Sequence, residues 1–320
     1  MANKRKSSKK ITPAVRYLRY ELTNSGTPDV ETSHYLDLAR DLSALNRRLM
    51  RQGRDYHIKR VTVVSRNTIA GRMPEPQRNA GRVTFATLPD SWMVRAAWNR
   101  GFKMWNKMNK LALDNTGSDI TPKYHDFKIR GIGNYAPTPV YASPLDNGGG
   151  VVAYGEWSYS SIISPDGTTS FDAYNLHMLG DHIVSGSNYS SVGLLKSYAE
   201  TRATVDTNNP NTASVNSDDP LLNLFDDGTQ VDEITDNLLT IGEDTPYDRD
   251  TYPGESGNMP KPLVVQHTTL GTDGKATVGG FNAICGLVEI ETTSPIANDT
   301  YSVLVELAPG KYRGIKAELI

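Results

Sequence analysis

The sequence has one cysteine, Cys285, so it can build neither an intrachain disulfide framework nor a cysteine-based zinc site. It has no apolar run long enough to span a bilayer, and its N-terminus is polar and lysine-rich with no hydrophobic stretch behind it. A membrane protein and a secreted one are therefore not expected, and synthesis in the cytosol is. On that expectation the sequons Asn188-Tyr189-Ser190 and Asn298-Asp299-Thr300 read as chance matches. Acidic residues are missing from residues 1–20, which carry Lys4, Arg5, Lys6, Lys9, Lys10, Arg16 and Arg19. Uncompensated charge of one sign resists compaction until a polyanion neutralises it, which predicts a flexible basic arm over 1–20 ahead of a folded domain over 21–320.

The net charge of −2 conceals a division. Residues 1–130 hold 26 Lys and Arg against 11 Asp and Glu, and the remaining residues hold 8 against 25. The first part is suited to a polyanion and the rest to solvent. At 320 residues and 38% hydrophobic content the chain can bury a sizeable core, as one large β domain or two small ones.

Tyr35, Leu38, Leu42, Leu45 and Leu49 recur at spacings of three and four, which predicts a helix over 30–52 stopped by Gly53. Arg47, Arg48, Arg51 and Arg54 would crowd its last turn, where they could cap the helix dipole, contact phosphate, or do both. A second helix is predicted from Asp90 or Ser91, one of them as cap, to about Leu113. Val94, Trp98, Trp105, Met108 and Ala112 share one of its faces; tryptophan beside lysine could stack on bases, but at this spacing the stripe reads as core. Strands are predicted over 56–66, 81–88, 124–131, 150–163, 168–184, 262–270, 281–292 and 301–308. About eight antiparallel strands, two helices in the N-terminal half and long loops give the expected fold class: mainly β, a single jelly-roll β-sandwich.

Residues 205–260 are rich in Asp, Asn, Gly and Pro and are expected to form an acidic surface loop. The run around Asp227-Gly228 lacks EF-hand spacing, because Phe225 and Ile234 occupy ligand positions. Catalytic chemistry is equally thin. Gly131-Ile132-Gly133-Asn134-Tyr135-Ala136 matches a dinucleotide pattern, but Pro137 and Pro139 forbid the helix it needs. No phosphate loop, metal helix or nucleophile elbow occurs. His177 and His182 flank Asp181 with no third ligand, and Cys285 sits in an apolar run where an inert buried thiol is expected. No catalytic residue, metal or cofactor is assigned.

Two segments carry a resemblance. The stretch from Tyr35-Leu36-Asp37-Leu38-Ala39-Arg40-Asp41 through Gly53, and the run from Gly81 to Lys110 with Thr84-Phe85-Ala86-Thr87-Leu88-Pro89-Asp90-Ser91-Trp92, Trp98, Trp105 and Asn109, resemble capsid proteins of circular Rep-encoding single-stranded DNA (CRESS DNA) viruses. The resemblance covers about 50 residues. It implies a jelly-roll subunit, an icosahedral shell of about sixty copies, an arm facing packaged single-stranded DNA, a host receptor of unknown kind, and residence in the virion with possible passage through the nucleus. The arm here is short and the total charge slightly acidic, unlike the strongly basic coats common in that group. On this reading the basic residues from Lys4 to Arg19, with Arg47, Arg48, Arg51 and Arg54, contact phosphate without sequence preference. The competing expectation is a jelly-roll binding module such as a lectin, using Trp157, Tyr159 and Tyr174; a hydrolase with scattered carboxylates ranks third.

Overall fold

Alternation of apolar and polar side chains sets the strands that matter most. In β14 (Thr300–Leu307) Tyr301, Val303, Val305 and Leu307 are buried, and in β1 (Tyr17–Thr23) Leu18, Tyr20 and Leu22 are. The two pair antiparallel from Tyr17↔Glu306 to Thr23↔Thr300. The computed structural model describes residues 12–66, 81–116, 124–132, 141–164, 172–185, 188–203, 262–271 and 273–320. Residues 17–20, expected in the arm, therefore belong to a strand, because a buried Leu18 and Tyr20 outweigh the flanking positive charge.

The remaining elements of the main body are β2 (Thr32–Asp37), α1 (Leu38–Asn46), β3 (Arg54–Ser65), β4 (Arg82–Thr87), β10 (Leu263–Thr269), β11 (Lys275–Val278), β12 (Phe281–Ile284) and β13 (Leu287–Thr293). They form two antiparallel sheets. One has the order β1-β14-β3-β11, with β12 and the C-terminal β15 (Ala317–Leu319) also pairing with the long β3; the other has the order β10-β4-β13-β2. Leu18, Tyr20, Val61, Val63, Val303 and Val305 of the first sheet and Leu36, Val83, Phe85 and Ile290 of the second share one core. Across it Phe85 and Phe281 meet with ring centroids 6.1 Å apart.

Two expectations are corrected here. The helix over 30–52 is strand up to Asp37: Thr32 to Asp37 pair with β13, Leu36 opposite Val288, so tertiary pairing overrides the helical spacing of Tyr35. Asp37 then caps α1 by accepting from the Arg40 N–H at 3.0 Å, and the helix ends at Asn46 with Arg47 left-handed. Gly53 does not stop it. A Cβ there would lie 2.6 Å from the Trp98 ring, so this glycine makes room for the indole. The apolar run over 281–292 is two strands, not one: the chain turns at Cys285, with φ 58°, and passes from the first sheet to the second. Cys285 is buried, as expected, but in a turn, and burial raises its thiol pKa well above the ordinary value.

Described residues between β4 and β10 form a second layer. It contains α2 (Trp92–Thr116), β5 (Arg130–Ile132), β6 (Ser161–Ser164), β7 (Asp172–Leu179), β8 (Ile183–Ser185), β9 (Asn188–Gly193) and α3 (Leu194–Ala203), with sheet order β5-β7-β9-β8 and β6 on β7. This sheet is mixed, since β7 runs parallel to both β5 and β9. Ser91 caps α2, its hydroxyl accepting from the Val94 N–H at 3.2 Å. Trp98 and Trp105 are core, as expected, packed with Phe127, Ile129, Leu176 and Leu195 and with Leu88, Ile284, Cys285 and Leu287 of the sandwich. Ala112 of the same stripe is exposed. The strands predicted over 124–131, 150–163 and 168–184 thus contribute to this layer and not to the sandwich, and most of 124–131 and 150–163 is not strand. The loop expected over 205–260 lies outside the described residues.

Candidate nucleic-acid interface

The chain enters the described structure at Thr12, beside the turn that follows β14. Gly314 has φ 96°, and a Cβ there would sit 2.2 Å from the Thr12 carbonyl oxygen and 2.7 Å from the Ala14 Cβ, so only glycine lets the entering chain lie so close. Val15 is tied to the end of α1: its N–H donates to Asn46 Oδ1 at 2.8 Å, and Asn46 Nδ2 donates back to its carbonyl at 3.0 Å. The Arg16 carbonyl accepts from the Leu307 N–H at 2.9 Å. The basic N-terminal stretch is thereby rooted next to Arg47, Arg48 and Arg313.

Arg47, the C-cap of α1, and Arg48 after it are exposed. Arg51, also exposed, is 4.0 Å from Asp126. Its N–H donates to the Tyr312 hydroxyl at 2.9 Å. Arg54 is different. Its guanidinium lies 3.7 Å from the Tyr312 ring centroid and reaches the Ala317 carbonyl at 3.4 Å, so it anchors the C-terminal segment more than it faces solvent. The expectation that four arginines share a helix's last turn is corrected: Arg47 ends the helix, Arg48 and Arg51 follow it, and Arg54 begins β3.

Arg19 points from β1 to Glu21, 3.1 Å away, and Arg66 bonds the same carboxylate. Arg19 is thus compensated locally. Lys4, Arg5, Lys6, Lys9 and Lys10 lie outside the described residues. Sequence reasoning missed Lys311, Arg313 and Lys316, all exposed. Arg313 donates to the Leu49 carbonyl and lies 5.8 Å from the Tyr312 ring, which brings it to the Arg47 loop from the far end of the chain. The signal was present in Lys311-Tyr312-Arg313-Gly314-Ile315-Lys316, a basic run with an aromatic inside it. Among the described residues, Arg47, Arg48, Lys311, Arg313 and Lys316 form no ion pair. By contrast Lys59 and Arg60, on β3, share Glu306 at 2.7 and 2.8 Å.

A buried polar network gathers at the N-terminal end of α1. Asp37 accepts from Gln52 Nε2 at 3.2 Å and from the Tyr159 hydroxyl at 3.1 Å, while Gln52 exchanges bonds of 2.9 and 2.6 Å with the backbone of Ile129. Asp41 accepts from Tyr20 at 2.6 Å and Arg40 at 2.8 Å. Burial pushes the Asp37 carboxyl up to about 6. Satisfied bonds of this kind fix α1, and so the Arg47 loop, against both layers.

The other candidates are accounted for structurally. His177 bonds the Ser191 hydroxyl at 2.7 Å and the Asp181 carbonyl at 3.0 Å, as a satisfied histidine should. Of the proposed sugar-binding aromatics, Trp157 is half-buried with the Lys128 ammonium 4.6 Å from its ring, Tyr159 is bonded to Asp37, and Tyr174 is half-buried in β7. Gly131 and Ile132 lie in β5, and residues 133–136 of the dinucleotide-like pattern are outside the described residues. Among the described residues no cluster of His, Cys, Asp and Glu could hold a metal ion, and no helix is long and apolar enough to cross a membrane. The chain matches no protein-family model, no curated protein and no solved structure.

Proposed function

We propose that this chain is a viral coat protein that assembles with copies of itself into a closed shell around single-stranded DNA, held by phosphate contacts without sequence preference. The observation that supports the reading is the entry of the N-terminal stretch beside exposed Arg47, Arg48 and Arg313, which form no ion pair among the described residues, on a double-sheet sandwich. Numbering the eight sandwich strands β1, β2, β3, β4, β10, β11, β13 and β14 as one to eight gives sheets 1-8-3-6 and 5-4-7-2. This order supports the jelly-roll reading, an architecture used by capsid and lectin domains. Basic side chains repeated on every subunit gain avidity when many copies meet one strand, so each contact can be weak.

The full chain, expressed alone, should give closed particles by electron microscopy, sedimenting far ahead of a 35.2 kDa monomer and carrying nucleic acid. A species that stays monomeric across pH and salt would remove the proposal.

A further inference from the structure

We infer that the outward face of α2 is a second contact site for single-stranded DNA, a track for one strand on a different element from the Arg47 loop. Arg100, Lys103, Lys107 and Lys110 recur at spacings of three, four and three, so they form one row along the helix, and all four are exposed. The row lies opposite the face that Val94, Trp98 and Trp105 bury in the second layer. Among the described residues none of the four forms an ion pair. Arg95, by contrast, bonds Asp90 at 2.7 Å and lies 3.8 Å from Asp55. The helix has one acid, Asp114, past the end of the row. A solvated helix face usually interleaves both signs, because like charges three and four residues apart repel and weaken the helix. Successive neighbours of one sign leave α2 with a repulsion that a bound polyanion relieves.

The length and the flank of the row favour a nucleic-acid strand over other polyanions. From Arg100 to Lys110 the helix rises about 15 Å. A stacked strand carries one phosphate about every 3.4 Å, so the row faces about four phosphates, one for each cation. Met104 and Leu111 stand along one side of the row, 52% and 61% exposed. A strand whose phosphates follow the cations can lay its bases on these two side chains, since every base offers a π-face and a thioether sulfur packs well against one. A carboxylate-rich peptide has no such face to place there. A lipid surface needs apolar side chains at the crest of the helix, where the cations stand. The inference rests on the single-stranded DNA reading above and adds to it a contact remote in sequence from the basic N-terminal stretch.

The test uses the full chain, cleared of nucleic acid with nuclease and concentrated salt, and labelled oligothymidylate read by fluorescence anisotropy across a salt series. One variant combines Arg100→Gln, Lys103→Gln, Lys107→Gln and Lys110→Gln, exposed positions where glutamine suits a helix, so its melting temperature should not fall. Its plot of log affinity against log salt should be shallower by about 2 to 3, at about 0.7 per lost contact. The pair Lys103→Gln and Lys107→Gln should give about half that change. Met104→Ser with Leu111→Ser should weaken oligothymidylate binding about threefold or more, and leave binding of an abasic strand of the same length unchanged. An unchanged slope in the fourfold variant, an unchanged affinity in the serine variant, or a fourfold variant that loses only poly-L-glutamate or phosphatidylserine vesicles would overturn the inference. No oligothymidylate binding by the unaltered chain would remove the coat reading as well. Binding whose slope ignores the row would remove this inference alone and leave the strand with the N-terminal stretch and the Arg47 loop.

Discussion

Arg47 and Arg313 both hold left-handed backbone, at φ 49° and 50°, where glycine or asparagine is the usual occupant. Each such residue costs about 1 kcal/mol, and the two lie on one patch. Arg47→Gly should therefore raise folding stability by about 1 kcal/mol in a thermal melt. The same change should lower the salt slope of single-stranded DNA binding by about 0.7, the value of one phosphate contact. A destabilised Arg47→Gly would mean that the arginine side chain holds the loop. Glu289 presents a second case. It is buried on β13 with Oε1 unpartnered among the described residues, and burial, then the neighbouring Glu291, pushes its carboxyl up to about 7. A raised acid binds more protons folded than unfolded, so stability falls as pH rises from about 4.5 to about 7 and is level above that, with a span of up to about 3 kcal/mol. Glu289→Gln should flatten this fall in denaturation midpoints taken between pH 4.5 and 8, and should be the more stable protein at pH 8. An unchanged pH profile would assign the fall to other groups.

At the scale of elements, β1 decides where the basic stretch can be cut. Leu18, Tyr20 and Leu22 are buried in the sandwich and Tyr17 to Thr23 run the length of the β14 ladder. Removing residues 1–11 takes five cations and little apolar surface, so the melting temperature should stay near that of the full chain while the 260/280 nm absorbance ratio of the particles drops. Removing residues 1–19 also takes the first three rungs of β1 and Leu18, whose burial alone is worth about 2–3 kcal/mol. That truncation should melt lower or fail to fold. Equal stability of the two truncations would show that β1 is dispensable, and an unchanged absorbance ratio in the shorter one would show that residues 1–11 do not hold the nucleic acid.

For the whole molecule, the strands with strict alternation were legible: Tyr301, Val303, Val305 and Leu307 in β14, and Val61 and Val63 in β3. So was the tryptophan face of α2. The N-terminal edge was not, because the charge of Arg16 and Arg19 masks the alternation of Leu18, Tyr20 and Leu22. Nor was β2, where Tyr35 and Leu38 mimic one helical face across a strand-to-helix junction at Asp37. The arginines at 47, 48 and 51 were legible as a cluster by their spacing, whereas Arg313 joins them only through the fold of the C-terminal segment. That Asn109 Nδ2 and Asp126 Oδ2 are buried without a partner among the described residues is invisible in sequence, since nothing local says whether a buried amide or carboxylate is paired.

The pairing of β4 with β10, from Leu263↔Thr87 to Thr269↔Arg82, makes residues 88–262 one excursion of the chain that leaves and rejoins the ladder at the Leu263↔Thr87 rung. The entropy of closing such a loop grows only with the logarithm of its length, about 0.6 kcal/mol per doubling. Within the excursion, sequence and length can drift at small thermodynamic penalty, provided that the residues seated on Leu88, Ile284 and Leu287 keep their apolar character. The ladder is thus a fixed frame and the excursion a place where variation costs little, so two sequences could share every sandwich contact and still present unrelated exteriors to whatever they meet.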